Sequence, residues 1–309
     1  ILLGTAIGDA LGFPVQFIPR ETVQKDPVIG MGKCRTFESP SGIWSDDTSL
    51  SLCLADSLCF GYNLQDIASK FIEWLFEGLW TPNNKAFDIG ITTMQAISNL
   101  RNRIEPKFVG LNGEKDNGNG SLMRIAPLIP YIYGLVEEQQ IQIISEVSSL
   151  THRHPRSILA CIFLCKFAIQ YLATKEIPTA FAYTQKEIKY LLTQEKFKNE
   201  CSHFDRLVNL TYEQFRNIAE NDIKSTGYVI DTLEASFWSI FNNNDFKDSV
   251  LCAVNLGYDA DTVGAITGAL AGIIYGHDSI PEEWLNVLAR KEDIIELANK
   301  LDSAIKSNP

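Results

Sequence analysis

The chain has 309 residues, 45% hydrophobic and 21% charged, which is the composition of a globular protein able to bury a sizeable core without staples. Its 27 Lys and Arg against 38 Asp and Glu leave a formal net charge of −11. With the basic residues scattered, that charge excludes a nucleic-acid backbone as the main partner, and any anionic ligand has to be held by cations or backbone amides.

Seven cysteines, at Cys34, Cys53, Cys59, Cys161, Cys165, Cys201 and Cys252, make an odd count with no CxxC pair. Most fall in apolar helical segments, so reduced, buried thiols and a cytoplasmic protein are expected. No basic stretch precedes Ile1–Leu3 and Asp9 interrupts the apolar run, so no signal peptide is read there. The apolar run Val263–Tyr275 is too short to span a bilayer. A monomer without a membrane partner is the expectation.

Taken in chain order, nearly every periodic segment reads as helix. Gly8-Asp9-Ala10-Leu11-Gly12-Phe13-Pro14-Val15-Gln16 turns a helix into a loop. Asp9 sits in an apolar stretch and needs a donor, a proton or a metal. Isolated β-bridges are allowed for in Val15–Thr36. Ser45-Asp46-Asp47-Thr48 then opens a helix over Asp47–Phe60, with Leu50, Leu54 and Leu58 at spacing four and Gly61 as terminator. Leu64–Trp80 and Phe87–Leu100 follow as helices, with Pro82 between them as a breaker.

Ile104–Gly118 is a polar loop, and its end overlaps Asp116-Asn117-Gly118-Asn119-Gly120-Ser121-Leu122-Met123-Arg124. This is a glycine-rich loop running into an apolar helix. Such a loop is either an amide-lined anion site or a plain turn, and it matches neither the P-loop nor the dinucleotide fingerprint. Helices over Ile141–Leu150 and Ser157–Leu172 flank Thr151-His152-Arg153-His154-Pro155. The two histidines suit hydrogen bonding or helix-end capping, and nothing nearby completes a zinc site.

Thr193–Ser202 is a second polar loop, followed by helices over Val229–Phe241 and Val250–Leu256. Asp231 lies in an otherwise apolar run and needs a partner, as Asp9 does. Asp259-Ala260-Asp261-Thr262 opens the last notable helix, in which Gly264, Gly268, Gly272 and Gly276 share one face. Four glycines at that spacing predict close main-chain packing and a central position. One all-α domain over residues 1–309, with about a dozen helices, is the predicted architecture.

Ser45–Thr48 and Asp259–Thr262 each supply two carboxylates and at least one hydroxyl. Capping alone explains one acceptor per helix and favours acid in the first turn. Adjacent carboxylates repel unless a cation or proton lies between them, so taken jointly the two clusters point to a site for hard divalent cations. No nucleophile elbow and no cysteine in a His–acid setting offers a covalent alternative.

Six blocks in order, Gly8–Gln16, Trp44–Thr48, Asn117–Arg124, Thr151-His152, Gly227–Leu233 and Asp259–Gly264, resemble the ADP-ribosylglycohydrolase family, which includes the dinitrogenase reductase-activating glycohydrolases. The likeness runs from Ile7 to Gly276. It implies an orthogonal helical bundle with two Mg²⁺ or Mn²⁺ ions at the base of a cleft. By that resemblance Ser45, Asp46, Asp47, Asp259, Asp261 and Thr262 are metal ligands, and Asp231 supports the metal site. Asp116, Asn119, Gly120 and Ser121 line a loop for the diphosphate and ribose, and His152 contacts the ribose. The implied reaction is hydrolysis of the glycosidic bond joining ADP-ribose to a side chain or small molecule, with Asp46, Asp47, Asp261 and position 16 at its centre. Position 16 departs from the pattern. Family members carry Glu there, whereas the Gln16 amide coordinates through oxygen but accepts no proton. A non-catalytic ADP-ribose-binding module, or a two-metal hydrolase of another nucleotide or glycoside, is the alternative.

Overall fold

A computed structural model describes residues 1–33 and 39–307, so Cys34 and Thr36 lie outside the described residues. The helices are α1 (Leu2–Gly12), α2 (Arg20–Val23), α3 (Asp46–Leu58), α4 (Leu64–Glu77), α5 (Ile91–Arg101), α6 (Leu128–Ile132), α7 (Glu137–Ser149), α8 (Pro155–Thr174), α9 (Ile177–Leu191), α10 (Asp205–Asn209), α11 (Tyr212–Arg216), α12 (Val229–Phe241), α13 (Phe246–Asn255), α14 (Ala260–Ile274), α15 (Glu282–Leu285) and α16 (Lys291–Ser307). The all-α expectation holds. Among the described residues the extended pairings are two isolated bridges, Leu111 with His152 and Gly118 with Tyr228, rather than any in the stretch after Val15.

Local chemistry explains most helix ends. The Asn63 side chain accepts from the backbone N–H groups of Gln65 and Asp66 to start α4, and Gly78 ends it at φ 77°. Asp245 accepts from Asp248 N–H, so α13 begins four residues before the expected Val250. Pro155 is not a spacer between helices but the first residue of α8, capped by the His154 ring. The helix expected from Phe87 begins only at Ile91, leaving Phe87–Gly90 as loop with Asp88 at φ 58°. The polar stretch from Thr193 winds into a 3-10 turn over Lys198–Phe204. Helix α8 is long and apolar enough to cross a bilayer, but 72% of its apolar window is buried inside the protein. There Phe163 and Phe167 meet the Phe237 ring of α12 edge-on, at centroid distances of 5.3 and 4.7 Å.

At the centre α1 and α14 lie antiparallel, main chain against main chain. A Cβ on Gly4, Gly8 or Gly12 would collide with the carbonyl oxygens of Gly268, Gly264 and Ala260 respectively. The predicted glycine face of α14 is therefore real at Gly264 and Gly268. It does not extend to Gly276, which lies past the helix end at φ 84°. This contact sets the C-terminal end of α1 beside the N-terminal end of α14. Asp9 then ties α3 to the pair. Its carboxylate accepts from Ser45 N–H at 2.9 and 3.0 Å, Thr48 N–H at 3.0 Å and the Thr48 hydroxyl at 2.6 Å. A side chain of one helix thus satisfies the free amides at the start of another.

Candidate active site

The two acidic clusters, more than two hundred residues apart in sequence, meet where these three helices converge. Ser45 caps α3 by accepting from Asp47 N–H, and its hydroxyl donates to Asp47 Oδ2 at 2.9 Å. The Thr262 hydroxyl reaches the same Oδ2 from α14 at 3.4 Å. Asp47 Oδ1 and both oxygens of Asp261 are buried and accept no hydrogen bond. Asp259 precedes α14 without capping it, and its Oδ2 instead accepts from the Asn119 amide. Capping therefore accounts for Ser45 but leaves the Asp47, Asp259 and Asp261 carboxylates for another purpose.

Asp9, Asp47 and Asp261 bring carboxylate oxygens within 4.8 Å of one another, all buried. Burial, joined by the charges of neighbouring carboxylates, holds Asp46, Asp47 and Asp261 well above the usual carboxylate range. Burial alone pushes Asp9 up to about 7 against its hydrogen bonds, and Asp259 is raised to about 6 by burial, opposed by Asn119. Such crowding is unfavourable for the ionised forms unless a cation enters.

A cleft of about 480 Å³ opens above the cluster. Its acidic end is lined by Gln16, Asp46, Asp88, Asp259, Asp261 and Thr262. Asp88, which periodicity did not single out, joins the site because the edge-on contact of Phe87 with Phe13, centroids 5.5 Å apart, pins its loop to the turn that carries Gln16. Its carboxyl interacts with Gln16 and Asp261, while burial raises its pKa. The Gln16 carbonyl oxygen is buried and accepts no hydrogen bond.

The other end of the cleft is the glycine-rich loop, with Lys115, Asp116, Gly118, Asn119, Gly120, Met123 and His152. No helix starts behind it: residues 120–124 form turns and α6 begins only at Leu128, after Pro127. The loop is fixed instead by Asn119 N–H to Gly227 O and Val229 N–H to Asn117 O, both 3.0 Å. Gly120 is required because a Cβ there would lie 2.8 Å from His152 Cε1 and 2.9 Å from Thr93 Oγ1. Buried Arg124 donates to the Thr151 hydroxyl at 2.7 Å, which contacts His152 Nδ1 at 2.9 Å. Burial first, then the Arg124 charge, lowers the His152 pKa to about 3, so the ring is neutral.

Four expected residues do not line the cleft: Ser45 and Asp47 are buried in the carboxylate cluster, and Ser121 and Asp231 lie apart from it. Ser121 is buried in the core, where its hydroxyl accepts from Ser148 at 2.9 Å. Asp231 accepts from the Thr226 hydroxyl at 2.6 Å and lines a separate hollow with Arg206, Tyr228 and Glu234. Asp116, which does line the cleft, also accepts from Gly113 N–H at 2.9 Å.

Two aromatic residues at the acidic end have left-handed backbones, Phe17 at φ 64° and Tyr258 at φ 56°. Each such conformation costs a non-glycine residue about 1–3 kcal/mol. Phe17 N–H donates to Tyr258 O at 2.6 Å and Tyr258 N–H to Ile18 O at 2.8 Å, while Arg20 Nε donates to Leu256 O at 3.0 Å. The two loops thereby hold each other in place.

A helical frame with buried carboxylates at the base of a cleft and a glycine-rich loop at its far end is the setting of a hydrolase of the ADP-ribosylglycohydrolase class, to which the comparisons with known proteins assign it. The sequence matches the ADP-ribosylglycohydrolase family over residues 1–309, and the chain belongs to that family. It is similar to the ADP-ribosylarginine hydrolase Tri1 of Serratia proteamaculans, 34% identical over 97% of this chain and 77% of that one. It is also similar to the ADP-ribosyl-[dinitrogen reductase] glycohydrolase of Rhodospirillum rubrum, 28% identical over 98% and 93%. Among solved structures, an ADP-ribosylglycohydrolase-related protein complex superposes with a TM-score of 0.80, at 29% identity over 98% of this chain and 96% of the other.

Proposed function

We propose that the protein hydrolyses the glycosidic bond between ADP-ribose and a modified arginine side chain, using divalent cations at the acidic end of the cleft. The observation that carries the reading is the set of buried carboxylate oxygens without donors, at Asp47 and Asp261, beside a cleft whose other end is the glycine-rich loop. The chemistry of this donor set fits Mg²⁺ or Mn²⁺, since every group offers a hard oxygen. Ser45, Asp46, Asp47, Asp259, Asp261 and Thr262 would hold two ions, with Asp9 adding a carboxylate from α1. When bound, such ions supply Lewis acidity and a water of lowered pKa.

The chain's own groups do the rest. The 116–120 loop and Lys115 bind the diphosphate at the end of the cleft away from the carboxylates. His152, neutral and contacting Thr151 through Nδ1, offers Nε2 to the ribose. Asn119 orients Asp259 while shaping the loop, so ligand position and carboxylate position are set together. As the C–N bond to arginine breaks and a water oxygen bonds to the anomeric carbon, positive charge develops on the sugar, and the surrounding carboxylates stabilise it. Asp88 accepts the proton released by the water and passes it to the guanidine nitrogen, which leaves with the C–N bonding pair; the role is open to Asp88 because burial raises its pKa and because Gln16 cannot perform it.

Gln16 also favours a second reading, an ADP-ribose-binding module without turnover. Release of ADP-ribose from an ADP-ribosylated arginine peptide in Mg²⁺, followed alongside thermal shift with free ADP-ribose, separates the two. Turnover is expected. A stabilising shift with no release in any divalent cation would leave the binding module, and no shift at millimolar ADP-ribose would reject both.

A further inference from the structure

We propose that Phe17 is a specificity-determining residue of the cleft, its ring receiving the guanidinium plane of the acceptor arginine. The inference rests on the proposed function and names which part of the substrate this end of the cleft reads.

Phe17 is 62% exposed although it is a phenylalanine, and it lines the cleft next to Gln16. Its backbone occupies the left-handed region at φ 64°, where a bulky residue is an outlier. The strain persists because neighbouring hydrogen bonds impose it. Phe17 N–H is held by Tyr258 O, and Tyr258, itself left-handed, is held by Ile18 O. A glycine would satisfy this backbone without strain and without an exposed apolar ring. An exposed ring kept where neither folding nor solubility favours it points to a ligand.

The ligand's chemistry follows from the surroundings. Gln16 and Asp259, the neighbours in sequence of Phe17 and Tyr258, both face the carboxylate cluster, so the ring borders the acidic end rather than the amide-lined loop. The cleft that Phe17 lines also carries Asp46, Asp88, Asp259 and Asp261. Ile91, 86% exposed on the same cleft, offers an apolar wall. A planar cation on an aliphatic stem suits the two apolar surfaces: guanidinium stacks on an aromatic face, and its methylenes lie against Ile91. A neutral hydroxyl-linked acceptor would use none of the ring's attraction for a cation.

The test compares Phe17→Ala, Phe17→Gly and Phe17→Tyr with the unsubstituted Mg²⁺-loaded protein. Three quantities are read: kcat/KM for an ADP-ribosylated arginine peptide, kcat/KM for an ADP-ribosylated serine peptide, and affinity for free ADP-ribose. Phe17→Ala and Phe17→Gly are expected to lose tenfold or more on the arginine peptide, with the serine peptide and ADP-ribose changed less than twofold. Phe17→Tyr keeps the ring and should retain arginine turnover within threefold. Phe17→Gly relieves the left-handed backbone, so its thermal midpoint should rise while arginine turnover falls, a combination that a purely structural role would not give. Unchanged arginine turnover in Phe17→Gly, or equal losses on both peptides and on ADP-ribose, would overturn the proposal while leaving the proposed function standing. Failure of the unsubstituted protein to bind ADP-ribose would overturn the proposed function, and this proposal with it.

Discussion

Asp88 falls inside the segment that spacing reads as helix from Phe87, but the structure leaves it in a loop at φ 58°, a backbone conformation that aspartate tolerates better than most residues. Nothing in its local sequence marks it as different from an ordinary acid in the first turn of a helix. Only the tertiary contact of Phe87 with Phe13 carries it to Gln16 and Asp261. The residues that sequence did reveal, Asp46, Asp47, Asp259 and Asp261, stood out because each pair exceeds what a helix cap needs. Asp9 was legible as a buried acid in want of a partner, but its partner, the start of α3, is 36 residues away and visible only in the fold. Ser121, read in the glycine-rich loop, and Asp231, read as an acid in want of a partner, took their site roles from the resemblance, and their side chains turn to Ser148 and Thr226. Replacing Asp88 with Asn removes the proposed proton acceptor while keeping the shape. Single-turnover assays should show a loss of about 100-fold or more, the scale of general-base catalysis, with ADP-ribose affinity within threefold of the parent. Unimpaired turnover would move the proton-accepting role elsewhere in the cluster.

At the scale of the elements, the long helices were legible from spacing, and their ends were misplaced wherever a cap or a tertiary contact decides them. The start of α5 at Ile91 rather than Phe87 is the instructive case, since the residues lost from the helix supply part of the site. The glycine face of α14 was read without its counterpart: Gly4, Gly8 and Gly12 repeat the same four-residue spacing on α1. Ala at Gly8 would drive a methyl group into the Gly264 carbonyl. The expected cost is about 3 kcal/mol or more, at the top of the overpacking range, because main chain rather than a flexible side chain has to yield. Gly134→Ala is the control: a Cβ there meets nothing within 4 Å, and chemical denaturation should find it within about 0.5 kcal/mol of the parent.

For the molecule as a whole, a minority of the acids lie where burial makes them sensitive to pH. Glu234, outside the cleft and beside Arg206 at 3.3 Å, is raised to about 7 by burial, against the pull of that arginine. Because the folded form binds this proton more tightly than the unfolded chain does, the group favours folding most below its ordinary carboxylate range. That contribution is lost as pH rises through about 7. Glu234→Gln keeps an acceptor for Arg206 and abolishes the titration. It should therefore match the parent near pH 5 and exceed it by about 1–3 kcal/mol at pH 8 in urea denaturation. The α1–α14 contact has a different kind of reach. Side chains can be shortened by a methylene to retune a distance, but two apposed main chains offer nothing to shorten. The spacing between Asp9 on α1 and Asp261 on α14 is thus a gauge of fixed aperture, which surface substitutions accumulating elsewhere leave unchanged.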